Sequence, residues 1–207
     1  MKENQLENLN DYDLTTSGTA ANYKWTIDID EINTSSAHNV YLDIYPSYDV
    51  FRLLRAEFRG GNTHANRYYS GEVIRQPGKS KDIASSYPAQ QCNNLFPVTP
   101  FKEIVNPSPR LVDRLRDRGR ALLLHCIFEK VELRDRYYPV PYIPIAKCIK
   151  HVNARRDNGR ILDADYVEIV INDIDFSIIE FQYKWKKLTI VTGYKSNYGP
   201  LPEGIRN

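Results

Sequence analysis

Apolar residues follow two regimes along this chain. Before about residue 119 they come in short bursts broken by glycine and proline, and after Arg120 they come in longer runs that alternate. In the first regime, Ala20, Ala21, Tyr23 and Trp25 behind the capping residues at 13–17 predict a short helix over 14–25. Val50, Phe51, Leu53, Leu54 and Phe58 have helical spacing, with Ser47 as the cap and Gly60-Gly61 as the stop. Residues 72–75 and 80–84, around Gln76-Pro77-Gly78-Lys79, read as strand, turn, strand, with Asp82 at a sheet edge. Tyr87-Pro88 opens a helix to about Asn93, and the prolines at 97, 100 and 107 mark an irregular connection. Ser108-Pro109 starts another helix, closed by Gly119.

In the second regime, 121–133 reads as a long strand and 137–149 as a second one, bulged at Pro139, Pro141 and Pro144. Asp157-Asn158-Gly159-Arg160 is a hairpin turn between strands at about 150–156 and 160–164. A separate strand covers 167–171, and Asn172-Asp173 caps a helix to about Tyr183. Residues 185–194 form the last strand, and the tail from Asn197 looks loose. Short helices against antiparallel strands define an α+β class.

Composition narrows the picture only a little. Hydrophobic residues at 42% are enough for a packed core in 207 residues. A net charge of +2 gives no whole-protein basic field, so any case for nucleic acid must rest on a local patch. The helix at 109–118 carries Arg110, Arg114, Arg116 and Arg118 against Asp113 and Asp117, which reads as a solvated, internally paired face. Cys92, Cys126 and Cys148 are odd in number and far apart, which suits buried thiols in a reducing compartment better than disulfides or zinc. No apolar run is long enough for a membrane helix, and the polar N-terminus carries no signal-peptide core; the expectation is a cytoplasmic protein with no membrane partner.

The chemistry concentrates in Lys81-Asp82-Ile83-Ala84-Ser85-Ser86-Tyr87-Pro88. A carboxylate before a turn into a helix can hold a divalent metal, and the amides after it can hold a phosphate. Asp82, Ser85, Tyr87 and Pro88 spell D-x-x-S-x-Y-P, which resembles motif A of family B DNA polymerases. Upstream, Phe58-Arg59-Gly60-Gly61-Asn62-Thr63 is similar to the aromatic-x-Gly-Gly segment before motif A in the protein-primed branch of that family.

The resemblance implies a polymerase palm with a central antiparallel sheet. It makes Asp82 the first of two metal-binding carboxylates, with the Ile83 carbonyl as a further ligand for Mg2+ or Mn2+. It sets Ser85 and Ser86 against the triphosphate and the Tyr87 ring under the sugar, where a 2′-hydroxyl would clash. Arg59, Gly60 and Gly61 match the segment that contacts the DNA template strand. The implied partners are template-primer DNA, a deoxynucleotide and a terminal (priming) protein.

Two parts of the pattern are missing. The lysine helix K-x-x-x-N-S-x-Y-G and the second aspartate of Y-x-D-T-D do not occur; Ser196-Asn197-Tyr198-Gly199 and Asn172-Asp173-Ile174-Asp175 only echo them. Asp173 reads as a helix cap and Asp175 as first-turn charge. The expectation is therefore a polymerase piece, inactive by itself. Residues 1–102 would be the N-terminal palm segment, 103–198 the insertion that binds DNA or the priming protein, and 199–207 a loose tail. The alternative is a non-catalytic module that binds DNA or the priming protein.

Overall fold

The structure, a computed structural model, describes residues 46–59, 66–69, 71–79 and 81–201. The helix expected over 14–25 lies outside them. Among the described residues, four α-helices pack on one antiparallel sheet, the α+β architecture expected. The helices are α1 (Tyr48–Glu57), α2 (Ser86–Asn93), α3 (Pro109–Asp117) and α4 (Asp173–Gln182). The strands are β1 (Leu95–Pro97), β2 (Lys102–Glu103), β3 (Arg120–Leu133), β4 (Cys148–Val152), β5 (Arg155–Asp157), β6 (Arg160–Asn172), β7 (Tyr183–Lys184) and β8 (Lys187–Pro200). The central order is β1-β8-β3-β6-β4, with β2 on β8, β5 on β6 and β7 on β3.

The long strands β3, β6 and β8 form the frame, and residue parity decides what each face meets. Leu122, Leu124, Cys126 and Phe128 of β3 point to the larger core with Ile169 and Ile171 of β6. That face is covered by α3, through Val112 and Leu115, and by α4, through Phe176 and Ile179. One step along, Leu123 and Val170 point the other way and meet Val50 of α1.

Local codes explain the helix ends. Ser47 and Ser108 each accept a hydrogen bond from the backbone N–H three residues on, at 3.4 Å in both helices. Gly119 takes φ +64°, which an L side chain resists, and its N–H donates to the Arg116 carbonyl at 2.8 Å.

Several expected elements differ. The hairpin at 72–84 is absent: the described residues there are irregular, and Val73 stands 82% exposed. A two-stranded ribbon with no sheet or helix behind it is marginal, and nothing among the described residues covers this one. The connection at 95–107 supplies β1 and β2, both paired with β8. The strand expected over 137–149 shrinks to Cys148–Val152 after a 3-10 turn at Ile145–Lys147. The prolines at 139, 141 and 144 lack the N–H a ladder needs. The strands expected at 160–164 and 167–171 are one strand, and the last runs to Pro200, so residues 197–200 are not loose. Of the thiols only Cys126 is fully buried; Cys148 is half-buried and Cys92 is exposed.

Candidate active site

Asp82 lies exposed in an irregular segment, not at a strand end. After it the chain turns through Ser85, at φ 52° and ψ 40°, into α2. The Ser85 carbonyl accepts from Ala89 N–H at 2.9 Å, and its hydroxyl makes no capping bond. The first N–H groups of α2, those of Ser86 and Tyr87, have no partner within the helix. Pro88 contributes none, so the helix start costs one orphan donor fewer. Ile83 and Tyr87 are 72% and 76% exposed. A carboxylate, the Ser85 hydroxyl and an aromatic ring thus stand in solvent within six consecutive residues, with half-buried Ser86 among them.

Among the described residues, no three His, Cys, Asp or Glu side chains come together as a metal cluster. Magnesium usually keeps several waters and takes one or two carboxylates plus substrate phosphates. The Asp82 carboxylate and the Ile83 carbonyl are oxygen donors of the kind magnesium takes.

Arg59 is turned inward, its side chain 15% exposed. Its Nη2 lies 3.3 Å from Asp175 Oδ2, a charge contact without hydrogen-bond alignment, and its guanidinium sits 5.6 Å from the centre of the Tyr142 ring. Gly60 and Gly61 lie outside the described residues.

Asp175 lies in the first turn of α4, as expected, but it is buried. The Tyr142 hydroxyl donates to its Oδ1. Nearby, Glu57 Oε1 accepts from Asn172 Nδ2 at 2.7 Å. Burial, and then the Asp175 charge, raise the Glu57 carboxyl, with Arg59 pulling the other way. Burial, then Asp175, push the Tyr142 hydroxyl up. Burial likewise pushes the Cys148 thiol up to about 12, against the pull of Arg59. This cluster gathers two carboxylates around one guanidinium. The sequence did not reveal it, because its members lie on α1, α4 and the proline-rich segment.

Asp173 is also engaged. The cap of α4 is Asn172, whose Oδ1 accepts from Asp175 N–H at 2.8 Å, so the capping role expected of Asp173 belongs to its neighbour. Asp173 Oδ1 accepts from Leu122 N–H at 2.9 Å, and the Tyr198 hydroxyl lies 3.0 Å from both carboxylate oxygens. These bonds tie α4 to β3 and β8. Arg116 of α3 reaches Glu180 at 3.0 Å and Ser177 at 2.8 Å, and its guanidinium lies over Phe176. The expected pairing along the arginine helix therefore reduces to Arg116 with Asp113 at 3.5 Å, and Arg116 bonds mainly to α4.

No protein-family model and no curated protein matches the chain. Solved structures do. Phi29 DNA polymerase complexed with primer-template DNA aligns at a TM-score of 0.56 and 18% identity, over 80% of this chain and 26% of that one. Phi29 DNA polymerase with primer-template DNA and incoming nucleotide substrates aligns at the same score and identity, over 91% of this chain and 30% of that one. This chain therefore spans less than a third of those polymerases' length. Over that part, it has a DNA-polymerase-like α+β fold.

Proposed function

We propose that this chain is part of a protein-primed family B DNA polymerase, with Asp82 as the first of two metal carboxylates. The observation that carries the reading is the run Asp82 to Tyr87, exposed except at half-buried Ser86, at the left-handed entry to a helix, in a chain whose fold is like that of Phi29 DNA polymerase. Ser85 and Ser86 with the amides of α2 receive the triphosphate, and the exposed Tyr87 ring stands ready to meet the sugar. The Asp82 carboxylate and the Ile83 carbonyl would hold a divalent ion, which would supply positive charge to the phosphoryl oxygens. Gly60 and Gly61 approach the template strand by their backbone. Arg59, next to them in sequence, is turned toward Asp175. Residues 103–198 are the insertion that meets DNA or the priming protein, and the setting is cytoplasmic.

The chain alone does not extend a primer. Asp173 is occupied by Leu122 and Tyr198, and Asp175 by Arg59 and Tyr142. Both carboxylates are engaged within the fold, which supports the reading that neither serves as the second metal ligand. That observation also favours a second reading, a module that binds DNA or a priming protein without chemistry. A binding titration separates the two. With Mn2+ present, a fluorescent deoxynucleotide binds the whole chain, and Asp82→Asn weakens it on the order of tenfold or more with Tm unchanged. Tyr87→Val narrows the preference over the matching ribonucleotide. Nucleotide affinity indifferent to Asp82→Asn would leave only the binding-module reading. Primer extension abolished by Asp82→Ala would overturn the claim of inactivity.

A further inference from the structure

On the α3 side of the sheet lies an open groove of about 550 Å3, away from the Asp82 segment in sequence. It is lined by Pro100, buried Leu115 and four cations, Lys102, Arg118, Arg120 and Lys195. The topology forces these cations together. Lys102 and Lys195 are direct partners in the β2–β8 ladder, so their side chains leave the same face with Cβ atoms about 5 Å apart. Lys195 also opposes Leu122, a residue of the core under α3, so that face is the α3 face. Arg120, two residues before Leu122, shares it. Arg118 is the C-cap of α3, which packs on the same strands.

Like charges directly opposite on a ladder destabilise a sheet unless something neutralises them. Among the described residues, none of the four cations has an ion pair or a side-chain hydrogen bond, whereas Lys130, Arg155, Lys184 and Lys187 on the same sheet all pair with carboxylates. The nearby acids face elsewhere. Glu103 opposes Tyr194 on the reverse face, where burial and then the Glu103 and Asp49 charges raise the Tyr194 hydroxyl. Asp113 and Asp117 of α3 line a separate open cavity of about 470 Å3, with only Arg120 common to both.

The geometry points to a binding site for the phosphodiester backbone of a nucleic-acid strand, formed by Lys102, Arg118, Arg120 and Lys195. Paired ammonium groups and two guanidinium groups around one groove match a run of phosphates, which neutralise all four at once. The site deepens the reading in which residues 103–198 meet DNA and is independent of the metal reading of Asp82, so its test is run without divalent metal. An end-labelled oligothymidylate is titrated into the whole chain in EDTA by fluorescence anisotropy at several salt concentrations. Lys102→Gln with Lys195→Gln weakens binding on the order of tenfold and lowers the salt slope by about 1.4, two single-strand phosphate contacts. Because that variant relieves a like-charge pair, its Tm is no lower than that of the parent. Arg110→Gln with Arg114→Gln, on α3 but outside the groove, changes affinity far less, and Asp82→Asn changes it not at all. Unchanged affinity and slope in the lysine variant would overturn the site. So would an equal loss in the arginine control, or polyglutamate of similar charge displacing the strand as well as unlabelled oligothymidylate, which would mark an acidic-protein surface.

Discussion

At the scale of single residues, the cluster at the end of α1 makes the sharpest statement about pH. Asp175 pairs with the Arg59 guanidinium, Glu57 feels both charges, and Glu57 is the carboxyl whose proton affinity rises, through burial first and the Asp175 charge second. A carboxyl raised in the folded state binds more protons there than in the unfolded chain. Its protonation therefore supports folding fully below the ordinary value of 4.5, and that support is lost as pH rises through the elevated folded value. Glu57→Gln removes the charge and keeps a carbonyl for the Asn172 amide, which donates to it at 2.7 Å. The variant has a higher Tm than the parent at pH 7, and the two converge near pH 4. A Tm difference that is constant across this range would show that Glu57 is not the titrating group. Arg59 is the complement. Its removal leaves Asp175, 6% exposed at the side chain, buried without its cation, which costs about 3–5 kcal/mol in a urea melt.

Among the elements, the long strands owe their order to side-chain hydrogen bonds as well as to the ladder. Tyr183 of β7 is fully buried; its hydroxyl donates to the Ile161 carbonyl at 2.7 Å and accepts from Ile143 N–H at 3.2 Å. It pins the start of β6 and the proline-rich segment to the core. Tyr183→Phe keeps the ring and strands two buried backbone groups, a loss of about 2–4 kcal/mol in equilibrium unfolding. A loss below about 0.5 kcal/mol would mean that water replaces the hydroxyl. Tyr183 also marks where sequence stopped being informative. The ends of α1, α3 and α4 and the turn at Asn158-Gly159 were legible because each rests on residues within three or four positions of one another. Residues 137–147 were not, because their backbone is satisfied by distant partners such as Tyr183 and Gly159. The hairpin expected at 72–84 failed for the converse reason: local turn chemistry was present but no surface among the described residues covers it. The candidate site divides the same way. The run from Asp82 to Tyr87 is contiguous and could be read directly, whereas Glu57, Tyr142 and Asp175 meet only through tertiary packing.

For the molecule as a whole, the question is how the stretch bearing Asp82 is attached to its support. On one side of it α1 packs against β3 and β6, with Val50 buried against Leu123 and Val170 and with the Glu57 and Arg59 contacts at its end. On the other side β1 pairs with β8, fixed further by Ser196, whose hydroxyl donates to the Thr99 carbonyl at 2.6 Å. Between these anchors, residues 71–79 are exposed and lack helix or strand, as do 81–83. Exposed backbone outside regular structure is where proteases cut first, so among the described residues trypsin nicks at Arg75, Lys79 or Lys81 before it reaches any residue of the sheet. Cleavage there breaks the chain without breaking its core. The two pieces therefore elute together in size-exclusion chromatography and separate only in denaturant. In the Arg59→Ala chain the nicked pieces separate at a lower urea concentration, because the contact with Asp175 helps hold α1 to the sheet. Pieces of the parent that separate in native buffer would show that α1 adds little to the fold. The Asp82 stretch would then hang from β1 and β8 alone.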